Sequence, residues 1–204
     1  MDIPVVISHK SAYQLFHAPN LEDVQRGKKS YGIKESGLKA CEVVKRVKQA
    51  LADCGVDAEH LGTIDILVPF PSQRCRSRGL RSHVLGRPIP EAMVTRITDG
   101  LFVVNPSVSF VQAAGWLDQL ELIEYGYELC GGYAMPIASD AKGTSGYRER
   151  KALANVETIQ ESMQELAGAH GLKKARGVLG FVRDGSRSPM ETALALMVVL
   201  PKAQ

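Results

Sequence analysis

Strand-like alternation of apolar residues is confined to short stretches between Val5 and Val104 of the 204-residue chain, two helically spaced stretches lie among them, and helical spacing prevails after residue 105. Val5 to Ile7 reads as a short strand, and Ser8 can cap a helix over HKSAYQLF with His9 and Lys10 in its first turn. Such a junction can offer backbone amides to an anion, but the glycines of a phosphate loop are missing, and an ordinary packed helix is expected. Residues 20–37 are polar and interrupted by Gly27, Gly32 and Gly37, which predicts an exposed connection carrying the basic run Arg26, Lys28 and Lys29. Leu38, Cys41, Val44, Val47 and Leu51 then recur at helical spacing, with Lys39, Lys45, Arg46 and Lys48 on the solvated side.

Ile64, Ile66 and Val68 mark a strand ended by Pro69 and Pro71. Leu80 to Leu85 alternates again, with Arg81 and His83 to one side and Leu80 and Val84 to the other. Met93 to Ile97 and Leu101 to Val104 are two further strands, joined through Asp99-Gly100, a dipeptide suited to a tight hairpin. A largely antiparallel sheet is expected. After Asn105-Pro106 the broad apolar face of Phe110, Val111, Ala114, Leu117, Leu120 and Ile123 predicts one core helix reaching to Gly131, with Trp116 as a packing anchor.

YAMPI, beginning at Tyr133, reads as a short returning strand, and residues 139–150 as a polar, glycine-containing boundary. Leu153, Val156, Ile159, Met163 and Leu166 line a helix that stops before Gly171, and a second helix runs from Leu172 to Val182. The pair admits a helix-turn-helix reading as well as a plain antiparallel pair, with Lys173, Lys174 and Arg176 at the start of the second helix. Ser188-Pro189-Met190-Glu191 carries a cap, a proline at the first helical position and a capping-box glutamate, so a last helix begins there. The fold class is therefore α+β: a mostly antiparallel sheet packed with helices, followed by a helical C-terminal part. The expected domains are 1–138, carrying the basic ribbon, and 151–204.

Composition changes this picture little. Apolar residues are 45% and charged residues 23% of the chain, ordinary for a globular protein, and the net charge is only +3. Local charge is more telling, because Arg74, Arg76, Arg78, Arg81, His83 and Arg87 fall within fourteen residues. Bracketed by two buried-looking strands, they are read as a basic ribbon held rigidly for an anionic partner. Asp2 stands where a secretory signal needs a base, and Cys41, Cys54, Cys75 and Cys130 are scattered without a CxxC pair, so a reducing cytoplasm is expected.

Catalytic patterns are sparse. His9, His17, His60, His83 and His170 show no converging spacing, and no metal and no cofactor are expected. Asp140-Ala-Lys142 and Glu149-Arg-Lys151 match only the short half of a PD-(D/E)xK nuclease pattern and lie in polar surroundings. No GxSxG elbow, Walker loop or dinucleotide fingerprint is present, and a non-catalytic protein is expected.

IDILVPFPSQRCRSRGLRSHVL followed by LFVVNPSVSFVQAA resembles the middle of AbiEi-like antitoxin and regulator proteins. KKARGVLGFVRDGSRSPMETALALMVVLP resembles the beginning of the Vsr-like endonuclease domain often fused behind them. The resemblance spans most of the chain and implies a cytoplasmic, nucleic-acid-binding regulator or defence-linked protein. It places Glu191 at the family's helix glutamate and the metal-binding acids beyond the SPMET helix, and without those acids Glu191 is expected to carry out no hydrolysis alone. The winged helix with which family members begin has no clear counterpart here. Two alternatives accompany this reading: a mobile-element-encoded inhibitor of a nucleic-acid-handling complex, and a truncated or degenerate Vsr-like nuclease.

Overall fold

The structure is a computed structural model that describes residues 5–18, 40–53, 62–75, 77–98, 100–136 and 146–200. It divides into two compact units, Met1–Asn105 and Pro106–Gln204, with the division at Asn105-Pro106. Proline at the head of a helix supplies a local reason, since it ends the strand ladder and is accepted in a first helical turn.

The first unit is a five-stranded sheet with helices α1 (His9–Phe16) and α2 (Ala40–Asp53). Its strands are β1 (Val5–Ile7), β2 (Ile64–Val68), β3 (Leu80–Val84), β4 (Val94–Thr98) and β5 (Leu101–Val104), in the order β3-β2-β1-β5-β4. The sheet is mixed, which corrects the largely antiparallel expectation. β2 pairs with β1 and β4 with β5 antiparallel, whereas β3 pairs with β2 and β1 with β5 in parallel.

β4 ends at Thr98 and β5 begins at Leu101, with Gly100 between them at a φ of 73°. β2 and β3 are joined by residues 69–79, including a 3-10 turn at Pro71–Gln73, long enough to cross over and bring β3 in parallel. The arginine-rich segment is therefore this crossover. β1, β2 and β5 are buried at every position. Buried on both faces, they read as continuous apolar runs. Asp65 is the exception inside β2, at 2% exposure.

The second unit holds α3 (Pro106–Ala113), α4 (Gln119–Cys130), α5 (Val156–Glu165), α6 (Leu172–Leu179) and α7 (Pro189–Val199). A two-residue ladder pairs β6 (Tyr133–Ala134) with β7 (Arg148–Glu149) antiparallel. The single core helix expected after Pro106 is two helices. Asp118 caps α4 by accepting from the Glu121 amide at 2.8 Å, while Glu121 Oε2 accepts from the Asp118 amide at 2.8 Å. That reciprocal box ends one helix register and starts another, leaving Leu120 exposed and Trp116 half-buried.

α4 approaches its neighbours closely at Gly126, where a Cβ would stand 2.6 Å from Val182 Cγ2 and 3.0 Å from Phe110 Cε2. Two pairs of hydroxyls bond inside the unit, Ser109 with Tyr125 and Thr192 with Tyr133, each at 2.8 Å. α7 starts at the expected cap, Ser188 Oγ accepting from the Glu191 amide at 3.2 Å, but Glu191 reaches one residue further back than the expected capping box, its Oε2 accepting from the Arg187 amide at 2.7 Å. Its outward face leaves Met190, Leu194, Met197 and Val198 exposed. Among the described residues no helix is long and apolar enough to cross a membrane.

Candidate nucleic-acid interface

The site is organised around the ladder between β2 and β3, the latter being the outermost strand on its side of the sheet. Asp65 stands opposite Arg81 and Leu67 opposite His83 in parallel register. Successive side chains of a strand alternate faces, so Asp65, Arg81 and His83 share one face. There His83 Nε2 bonds Asp65 Oδ1 at 2.7 Å, and Arg81 Nη1 lies 3.9 Å from the same oxygen. The carboxylate is the acceptor, so Nε2 carries the hydrogen in this bond. Arg81 keeps 59% of its side chain exposed, against 3% for Asp65, so a buried charge roots a guanidinium that reaches water.

Helix α1 closes the inner side of this cluster. The Asp65 amide donates to Ser11 Oγ at 2.9 Å, and the Ser8 amide donates to the Asp65 carbonyl at 2.9 Å. Ser8 and Ser11 are both fully buried. His9 then stacks on His83, ring centroids 3.5 Å apart and planes 14° from parallel. Its Nδ1 lies 3.0 Å from Ser8 Oγ. Among the described residues His9 alone, glycine aside, has a positive φ, at 50°. Conformations of that kind are held in place by surrounding structure and cluster at functional positions. Burial pushes the His9 imidazole down to about 3, the neighbouring His83 and Arg81 push the same way, and Asp65 opposes them. His9 is therefore a neutral ring at neutral pH, a flat platform under His83.

The remaining arginines flank β3. Arg74 follows the 3-10 turn and is exposed, as is Arg78 in the turn completed by Gly79 at φ 89°. Arg87 is exposed beyond Gly86 at φ 84°. Arg76 lies outside the described residues, and so do Arg26, Lys28 and Lys29 of the second basic patch. Lys173, Lys174 and Arg176 are on α6, in the other unit. The Lys174 ammonium donates to the Leu117 carbonyl, while Lys173 and Arg176 are exposed.

Sequence alternation placed Arg81 and His83 on a common side of a strand, which is where they lie. It missed Asp65, Ser8, Ser11 and the stacking role of His9, because those partners are brought together by the register of β2 on β3 and by the packing of α1. An aspartate in the middle of an otherwise apolar strand was the available signal. Among the described residues no group of three or more histidines, cysteines or carboxylates is arranged to hold a metal ion. Cys75 and Cys130 are poor nucleophiles: burial raises the Cys75 thiol and drives Cys130 to about 12, with Asp184 adding to the latter.

The chemistry this face offers is thus one exposed guanidinium seated near a buried carboxylate, with a stacked imidazole pair beside it. No protein-family model, curated protein or solved structure matches the chain.

Proposed function

We propose that the protein is a non-catalytic, cytoplasmic nucleic-acid-binding regulator, of the type its sequence resembles, and that the β3 face is its phosphate-binding surface. The observation that carries this reading is the seating of exposed Arg81 and half-buried His83 on buried Asp65 at a sheet edge, with Arg74, Arg78 and Arg87 exposed on the segments to either side. The five residues of β3 alone advance the chain by about 13 Å between first and last. Arg81 on β3, with exposed Arg74 and Arg78 before it and Arg87 after it in the chain, supplies several guanidiniums from one segment, which suits a polyanion bearing a charge every ~3.4 Å along each strand better than one small anion. Seating Arg81 on a rigid strand lowers the ordering cost that a long, mobile side chain otherwise carries on binding.

Oligonucleotide binding as salt is raised is the test. Affinity that falls steeply, and falls less steeply in an Arg81→Gln variant, supports the phosphate-binding surface. Affinity indifferent to salt excludes it.

One observation favours a second reading, an inhibitor that docks on a nucleic-acid-handling protein: the exposed apolar stripe of Met190, Leu194, Met197 and Val198 on α7. Its signature is a stoichiometric protein complex that survives nuclease treatment and is lost in a Leu194→Glu variant.

A further inference from the structure

The stack of His9 and His83 has an open side. His9 covers one face of the His83 ring, with centroids 3.5 Å apart and planes 14° from parallel, and Asp65 Oδ1 holds its Nε2 edge at 2.7 Å. Water still reaches 27% of the His83 side chain. With one face and the Nε2 edge occupied, that exposure belongs to the opposite face and the remaining edge. His83 thus presents a flat ring on the outermost strand of its side of the sheet.

The ring is held in place before any ligand arrives. His9 takes a positive φ of 50°, and its Nδ1 lies 3.0 Å from the Oγ of buried Ser8, so backbone as well as packing places the inner ring of the stack. Burial holds the His9 imidazole at about 3, and the ring beneath His83 is neutral at neutral pH. A platform already ordered carries little further ordering cost on binding.

Arg81 precedes His83 by two residues on the same strand face, about 7 Å along β3. Its side chain is 59% exposed. One nucleotide can therefore set its phosphate on Arg81 and its base on His83. Single strands are recognised by this combination of a cation on the backbone and an aromatic ring under an unstacked base, and histidine is one of the rings that serve. In a duplex each base is covered on both faces by its neighbours, and a ring on a sheet surface has nothing to stack on. We propose that the β3 face binds single-stranded nucleic acid, an unpaired base stacking on the open face of His83 while its phosphate meets Arg81. This rests on the reading of β3 as a phosphate-binding surface and adds the form of nucleic acid that the surface takes.

Fluorescence anisotropy of the full chain at one moderate salt concentration tests it, with labelled probes of equal phosphate number: oligothymidine, oligouridine, an abasic deoxyribose-phosphate strand and a hairpin duplex. Oligothymidine is expected to bind about tenfold or more tighter than the abasic strand or the hairpin, the factor that one stacked base contributes. Oligouridine adds the 2′-hydroxyl and shows whether RNA or DNA is preferred; tight binding of either upholds the site. His83→Gln keeps an N–H group for Asp65 and removes the ring, and should weaken oligothymidine by about tenfold while leaving the abasic strand within about twofold. His83→Phe loses the donor and keeps a ring, and should retain the preference for oligothymidine over the abasic strand. Thermal melting verifies the fold of each variant. Arg81→Gln should weaken oligothymidine and the abasic strand together. Equal affinity for oligothymidine, oligouridine and the abasic strand, all weakened by Arg81→Gln, overturns the stacking site and leaves the phosphate-binding surface standing. A hairpin bound as tightly as oligothymidine, or a preference for bases that survives His83→Gln in a folded protein, overturns it as well. Binding indifferent to both salt and Arg81→Gln removes the surface and this inference together.

Discussion

Acidification should loosen the first unit through one ring, His9. Its imidazole is held at about 3 in the folded protein against 6.5 in a free chain, by burial first and then by His83 and Arg81. The folded value is the lower one, so between those limits the unfolded chain binds one more proton and stability falls as pH falls. The steepest loss is about 1.4 kcal/mol per pH unit. From pH 7 to pH 5 that integrates to about 2 kcal/mol, and the full penalty, about 5 kcal/mol, is reached below pH 3. The stabilisation is complete above pH 6.5 and disappears on the acid side.

The control is His9→Asn, since asparagine tolerates the positive φ of 50° and does not titrate. Urea-dependent hydrogen exchange at the β2 amides of Ile66 and Leu67 reads the first unit separately from the second. Between pH 7 and pH 5 the natural protein should lose about 2 kcal/mol more than His9→Asn, because other titrating groups cancel in the difference. Equal losses in the two proteins would refute the buried, neutral His9.

Three further predictions concern packing and caps. Ser11→Ala removes the acceptor of the buried Asp65 amide and should destabilise the first unit by about 1–3 kcal/mol in the same exchange measurement. Gly126→Ala forces a methyl group against Val182 and Phe110 and should cost the second unit about 1–3 kcal/mol, followed by the fluorescence of Trp116 during urea unfolding; combining it with Val182→Ala should cost less than the sum of the two single changes. Ser188→Ala removes the cap of α7 and should cost about 1 kcal/mol by the same fluorescence assay, with a loss of helical circular dichroism.

Local signals in the sequence located most elements correctly. The strand β2, the hairpin of β4 and β5, the helix α5 and the cap of α7 each follow from periodicity or from turn chemistry within a few residues. Parallel pairing did not, because the direction of β3 depends on how residues 69–79 cross over, a matter of connection geometry that alternation cannot express. The break between α3 and α4 was written in Asp118-x-x-Glu121, but the apolar positions on either side keep a helical phase and masked it. At the site, Arg81 and His83 were legible as two residues on one strand face. Asp65 was legible only as a polar residue on a strand, since its burial depends on β1, β3 and α1 meeting around it. His9 changed most: placed in an ordinary first helical turn by sequence, it occupies a left-handed position and stacks on a residue 74 positions away.

Salt dependence of oligonucleotide affinity tests the central claim most directly. Fluorescence anisotropy with a labelled duplex and a labelled single strand, from about 50 to 200 mM monovalent salt, reads the number of phosphate contacts. With Arg74, Arg78, Arg81 and Arg87 each neutralising one phosphate, the logarithmic slope should be about −3.6 on a duplex and about −2.8 on a single strand, a fall of roughly 150-fold or 50-fold over that range. Arg81→Gln should reduce the duplex slope by about 0.9. A slope near zero, or one that Arg81→Gln leaves unchanged, would contradict the β3 face as a phosphate-binding surface.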